Sequence, residues 1–122
     1  MKFKLDLFTK QIGEAWDNSV DFHIIIEDGR VYVATAYTID ALDWHLTNCA
    51  SYFSQTEYII VKNLDVNMLA EAVSDIIMEQ EEGYDDYISM VFGKEYKLKD
   101  MYENSSFFEI NAPCFDTNQF EK

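Results

Sequence analysis

Glu71, Asp75 and Glu79 stand four residues apart in a stretch whose apolar residues recur at helical spacing, and Glu82 follows three residues later. On a helix rising about 1.5 Å per residue, such carboxylates lie roughly 6 Å apart along one line. The acids continue as Glu81, Asp85 and Asp86, with Tyr84 and Tyr87 set among them. No Lys or Arg occurs between Lys62 and Lys94 to relieve them. Each like-charge pair at this spacing costs about 0.2–0.5 kcal/mol. Glu79, Glu81 and Glu82 also crowd the helix C-terminus, where the dipole favours cations by about 0.3–1 kcal/mol each. The sum is about 2–3 kcal/mol of avoidable strain, against a usual stability of about 5–15 kcal/mol. Local conflicts without visible compensation mark functional surfaces.

The chemistry such a row supports is docking onto a cationic surface. A nucleic-acid duplex shows one phosphate per about 3.4 Å of rise along each strand. Carboxylates roughly 6 Å apart on a rigid rod occupy some of the same Lys and Arg pockets without matching every phosphate. Tyr84 and Tyr87 add flat, polar-tipped contact area of the kind enriched at interfaces. The competing reading is a solvated face kept acidic for solubility, with at least one of the two tyrosines in the core.

Other residue sets bear on catalysis and metal binding. His45 and Cys49 lie one helical turn apart, as nucleophile and base do. Their setting is acidic and Cys49 falls on the apolar stripe, so core packing accounts for it better than an activated thiolate. His23, His45, Cys49 and Cys114 lack the short paired spacing of structural zinc sites. Glu79 to Asp86 is rich in oxygen ligands but does not match the calcium-loop pattern. Asp40 and Asp43 read as helix-start residues. The chain has no Gly-rich phosphate loop, no G-x-S-x-G and no H-E-x-x-H. No catalytic residue, metal ligand or cofactor is therefore assigned, and the chain is read as a non-enzyme.

The charge distribution agrees with a docking role. Between Gln11 and Gly93 sixteen acids face two bases, Arg30 and Lys62, so this segment carries the whole net charge of −14. The flanks, with seven acids and seven bases, are neutral. A field of that sign repels nucleic acid and anionic membrane and speeds encounter with basic surfaces. The nearest approach to a basic patch, Lys94, Lys97 and Lys99, is diluted by Glu95 and Asp100.

At 122 residues, 48% of them hydrophobic and 16% aromatic, the chain has enough apolar content to fold rather than remain an acidic tail. No window approaches 18 apolar residues, as a membrane span would need. No apolar h-region follows the N-terminal Met1-Lys2-Phe3-Lys4, so a cytoplasmic protein is expected. In a reducing compartment Cys49 and Cys114 are expected free and partly buried.

The elements that would position the acidic row follow from periodicity. Met1 to Leu7 alternates as a half-buried strand with Lys2, Lys4 and Asp6 outward, and Thr9 to Trp16 suggests a short helix. Phe22–Ile26 and Arg30–Tyr37 flank Asp28-Gly29, a strong hairpin signal. Asp40 reads as the N-cap of an amphipathic helix carrying Leu42, Leu46, Cys49, Ala50 and Phe53. Tyr58–Val61 reads as a strand buried on both faces. Leu64-Asp65 opens the acidic helix, with Leu69, Ala72, Val73, Ile76 and Ile77 as its core stripe and Gly83 as its stop. Tyr87–Phe92 and Phe107–Ile110 read as strands. Glu95–Asn104 fits either a helix or an extended arm, and the chain from Pro113 to 122 reads as irregular. The pattern predicts a single α+β domain over 1–122, with a mainly antiparallel sheet and two principal helices packed on one face.

No motif assigns a family. The composition is similar to that of two groups of small acidic proteins: phage-encoded nucleic-acid mimics that block defence enzymes (anti-CRISPR or anti-restriction proteins), and immunity proteins that neutralise toxin nucleases. That resemblance implies an inhibitor whose partner is the basic surface of a nuclease or other nucleic-acid-handling enzyme, with Glu71, Asp75, Glu79, Glu81, Glu82, Tyr84, Asp85, Asp86 and Tyr87 at the contact. The alternative is a self-associating structural or adaptor domain, a homodimer using exposed aromatics such as Trp16, Tyr37, Tyr52 and Phe53, with acidity serving solubility. A third class, an enzyme using an unrecognised carboxylate pair, requires a concave pocket of coupled acids.

Overall fold

Alternation along β1 (Lys2–Leu7), β2 (Ser19–Ile26) and β3 (Arg30–Thr38) sends Phe3, Leu5, Phe22, Ile24, Tyr32, Ala34 and Ala36 to one buried face. The computed structural model describes residues 1–8, 19–103 and 105–121, so the helix expected over Thr9–Trp16 lies outside the described residues. The three strands pair antiparallel, and the Asp28-Gly29 turn closes β2 onto β3 with Ile25 opposite Val31. Gly29 takes φ of +99° there and donates its N–H to the Ile26 carbonyl at 2.9 Å. A side chain at that φ would be strained, which is why glycine follows the aspartate.

After β3 come α1 (Ile39–Asn48), β4 (Tyr58–Val61), α2 (Val66–Glu81), α3 (Tyr87–Phe92), β5 (Tyr96–Lys97), α4 (Leu98–Met101) and β6 (Cys114–Asp116). Short 3-10 turns occupy Phe107–Glu109 and Thr117–Phe120. The sheet order is β4-β3-β2-β1-β6, with β5 also on β3. Among the described residues only the β3–β4 pair is parallel. The fold is thus the α+β class that the pattern predicts, one compact domain with an antiparallel majority and helices packed against the sheet.

The main core joins the buried sheet face to α2 through Leu69, Ala70, Val73 and Ile77, and to α3 through Ile88 and Phe92. Burying one such aliphatic side chain contributes about 1.5–3 kcal/mol. Three of them on α2 outweigh the like-charge repulsion on its far side. The other principal helix, α1, has no fully buried residue. It leans on the sheet through His45, whose ring meets Phe53, which in turn meets Tyr37 of β3.

The opposite sheet face carries a smaller cluster of Ile25, Val31 and Phe107, flanked by Tyr96, Leu98, Met101, Tyr102 and Ile110 of the C-terminal arm. Lys4 holds that arm down. Expected on a solvated side of β1, it is only 6% exposed. Its Nζ donates to the carbonyls of Phe107 at 2.5 Å and Ile110 at 2.8 Å, and it lies over the Phe107 ring at 4.7 Å. The ammonium pairs carbonyls that a 3-10 turn leaves open.

Several local expectations are corrected. Tyr87–Phe92 is helical rather than extended, because Gln80 Oε1 accepts the Ile88 N–H at 3.0 Å and caps a new turn against α2. Phe107–Ile110 is a 3-10 turn with a Ser106/Glu109 capping box, not a strand. Pro113 to 121 is not irregular: β6 pairs with β1 and is followed by the second 3-10 turn. Glu95–Asn104 divides between β5 and α4. Thr38, not Asp40, caps α1, its Oγ1 accepting the Ala41 N–H at 3.1 Å, and the helix stops before Cys49 and Phe53. Cys49 and Cys114 are free and exposed rather than partly buried. β4 is an edge strand with Ile60 48% exposed, not one buried on both faces.

Two stability changes follow. Replacing Lys4 by Met keeps the apolar stem but strips two carbonyls of their donor, and should cost about 2 kcal/mol by urea denaturation. Ser74 of α2 is fully buried, and among the described residues its Oγ has no partner. Ser74→Ala should raise stability by about 1 kcal/mol, because it removes an unpaired hydroxyl and improves helix propensity.

Candidate functional site

The acidic row is built by the way α2 starts, rotates and stops. Asp65 is the N-cap, its Oδ1 accepting the N–H groups of Asn67 at 2.7 Å and Met68 at 3.2 Å. The buried stripe fixes the rotation, which leaves Glu71, Asp75 and Glu79 exposed on the outer side. Glu71 and Glu79 are eight residues apart, so the row extends about 12 Å along the axis. At the far end Gly83 donates its N–H to the Gln80 carbonyl at 3.2 Å and Tyr84 to the Glu79 carbonyl at 3.4 Å. That is a Schellman stop, and the φ of +117° at Gly83 is what it requires.

Beyond the stop, Asp86 takes φ of +63° and leads into α3. Glu81, Glu82, Asp85 and Asp86 are exposed. Tyr84 is 63% exposed and Tyr87 half-buried, with ring centroids 6.1 Å apart. All nine residues singled out in the sequence are therefore at least partly exposed, and six of them line the two grooves beside α2. The expectation that one of the tyrosines sits in the core is not met, since neither is fully buried. Among the described residues none of these carboxylates makes an ion pair; the pairs present are Asp28 with Arg30 and Asp116 with the terminal amine of Met1.

Grooves run along both sides of the row. One, of about 450 Å³, is lined by Asp75, Ile76, Glu79, Tyr84 and Tyr87. The other, of about 600 Å³, sets Asp75, Glu79, Glu81, Glu82 and Glu121 over Met78 and Phe120. Asp75 and Glu79 belong to both, so they form a ridge between two channels. Glu121 and Phe120 were missed from the sequence. They reach the ridge because β6 and the 3-10 turn after it fold back onto α2, with Phe120 packed on Phe115. No local signal links position 121 to position 79.

The other sets of reactive residues are employed elsewhere. His45 Nε2 meets the Tyr52 carbonyl at 3.2 Å, and Cys49 is the exposed C-cap of α1, so the two do not form a nucleophile–base pair. Among the described residues no three of His, Cys, Asp and Glu gather closely enough to hold a metal ion. Of the aromatics proposed for self-association, Phe53 and Tyr37 are half-buried against each other and against Tyr58. Tyr52 is exposed, and Trp16 lies outside the described residues.

One polar network was not anticipated. Tyr102 Oη donates to Asp6 Oδ2 at 2.7 Å and meets His23 Nδ1 at 2.6 Å, which fits a donor His23 Nδ1–H. Asp6 and His23 are cross-strand neighbours on β1 and β2. Burial lowers the His23 pKa, with Asp6 pulling the other way. Burial first, and then the bond to Asp6, raises the Tyr102 pKa well above the ordinary phenol range. Both shifts fit a neutral imidazole and a neutral phenol where the C-terminal arm is pinned.

Comparison with protein-family models, curated proteins and solved structures yields no match. Among the described residues no helix is long and apolar enough to cross a membrane.

The electrostatics of the row is testable on the free protein. Glu81→Gln with Glu82→Gln removes two charges that oppose the dipole of α2. It should raise stability by about 0.3–1 kcal/mol per site at low ionic strength. The gain should shrink in about 1 M salt, where the screening length falls to about 3 Å.

Proposed function

We propose that this chain is a small inhibitor protein whose acidic ridge docks on the basic nucleic-acid-binding surface of an enzyme, occupying the place of a phosphate backbone. The single observation that carries the reading is the ridge itself: Glu71, Asp75 and Glu79 project from a rigid helix, with no described base pairing them. Glu81, Glu82 and Glu121 extend the same field along the larger groove. A packed helix fixes the backbone beneath the carboxylates, so docking has only their side chains left to order, at about 0.5–1.5 kcal/mol each.

The division of labour follows from physics. The long-range field speeds the encounter, and Tyr84 and Tyr87 supply contact area that excludes water once the surfaces meet. The partner is a nuclease or other nucleic-acid-handling enzyme. The role is either phage anti-defence, of the anti-CRISPR or anti-restriction kind, or immunity against a toxin nuclease. The protein acts in the cytoplasm, without a cofactor, catalysis, direct nucleic-acid binding or membrane attachment of its own.

The test is competition with labelled duplex DNA on a panel of basic nucleases, followed by stopped-flow association with any enzyme from which the chain displaces DNA. The association rate should fall at least tenfold between about 0.01 and 0.15 M salt. The triple variant Glu71→Gln, Asp75→Asn, Glu79→Gln should inhibit at least tenfold less well while melting at the same or a higher temperature. A triple variant as potent as the parent chain would leave the acids with solubility as their only role.

A further inference from the structure

β4 ends the sheet, and its pairing uses one of its two edges. Thr35 stands beside Tyr58 in the parallel register and donates its N–H to the Glu57 carbonyl at 3.0 Å. In a parallel ladder the residues flanking Thr35's neighbour are the ones bonded to it. Glu57 and Ile59 therefore turn their backbone groups toward β3, and Tyr58 and Ile60 turn theirs away. Among the described residues no strand pairs with that outer edge; β5 shares this side of β3 but lies at Arg30 and Val31. Where the edge is open its surroundings are apolar. Ile60 is 48% and Ile39 68% exposed, and both line a groove of about 310 Å³ whose charged members, Asp40 and Lys62, sum to zero.

Charge selects the occupant. A cationic segment would be drawn to the ridge on α2 and not to this edge, because Ala50 to Leu64 contains one acid and one base. The acid, Glu57, has its side chain against the backbone of Gly93. In a chain of net charge −14, a neutral strip is where two copies approach with least repulsion. We propose that β4 pairs with β4 of a second copy, antiparallel about a two-fold axis that passes between the two Ile60 residues, normal to the sheet.

That register is the self-complementary one. Ile60 stands opposite Ile60 of the second copy, and their outward N–H and C=O groups form a mutual pair of hydrogen bonds. Tyr58 stands opposite Lys62 of the second copy, so a ring meets an ammonium and no carboxylate opposes another. A two-fold contact closes on itself, which joins the two sheets into one and covers both open edges. The surface is distinct from the ridge, and its salt dependence has the opposite sign.

Sedimentation equilibrium of the full chain in about 0.1 and 1 M salt tests the pairing. A monomer–dimer equilibrium is expected that tightens several-fold at the higher salt. Ile60→Lys should abolish the dimer while leaving the circular dichroism unchanged, since the site is half exposed. Amide exchange tests it without mutation: the Ile60 N–H should slow several-fold as protein concentration rises through the dissociation constant, while the Ile59 N–H, turned toward β3, stays slow throughout. A chain that is monomeric at both salts, a dimer indifferent to Ile60→Lys, or an Ile60 amide indifferent to concentration would overturn the pairing.

Discussion

Leu69, Val73 and Ile77 have one sheet face to pack against, and that packing decides how α2 is turned about its own axis. With those three side chains buried, Glu71, Asp75 and Glu79 have nowhere to point except into water. The burial contributes several kcal/mol, whereas repulsion along the row costs a few tenths per pair. The helix therefore tolerates an outer face that its own electrostatics disfavours. The Asp65 cap and the Gly83 stop fix its ends, so the carboxylates sit on a rod with little freedom of translation or rotation.

The rest of the fold serves that rod in two layers. β1, β2 and β3 present the apolar face, and the turn at Gly29 sets the register of β2 on β3. On the reverse face Lys4 and the Asp6–Tyr102–His23 network hold the C-terminal arm together with the apolar cluster around Phe107. That arm leads to β6, and β6 returns the chain to α2, placing Phe120 and Glu121 beside the ridge. A buried ammonium on one side of the sheet thus supports, through the path of the backbone, part of the acidic groove on the other.

How much of this is legible in the sequence depends on how local each cause is. The hairpin was, because Asp-Gly between alternating runs has a backbone reason that needs no distant partner. So were both ends of α2 and the outward row, since cap, stop and a sixteen-residue periodicity are all internal to the element. Tyr87–Phe92 reads as a strand in the sequence because six residues, four of them aromatic or branched, carry too few periods to separate helix from strand; the deciding bond comes from Gln80. Lys4 looked solvated because its carbonyl partners lie more than a hundred residues away. Glu121 escaped for the same reason. Cys49 and Phe53 were placed on the apolar face of α1 because they continue its spacing, although the helix has already ended.

A docking role requires that the ridge, rather than the protein's charge in general, is what a cationic surface finds. Titrating the isotope-labelled chain with a short oligolysine at low ionic strength, and following backbone amide shifts, measures this most directly. Shifts concentrated from Glu71 to Tyr87 and at Glu121, vanishing as salt is raised, are the predicted result. Shifts spread evenly over the acidic segment from Asp21 to Asp86, or centred on Asp40 and Asp43, would contradict it.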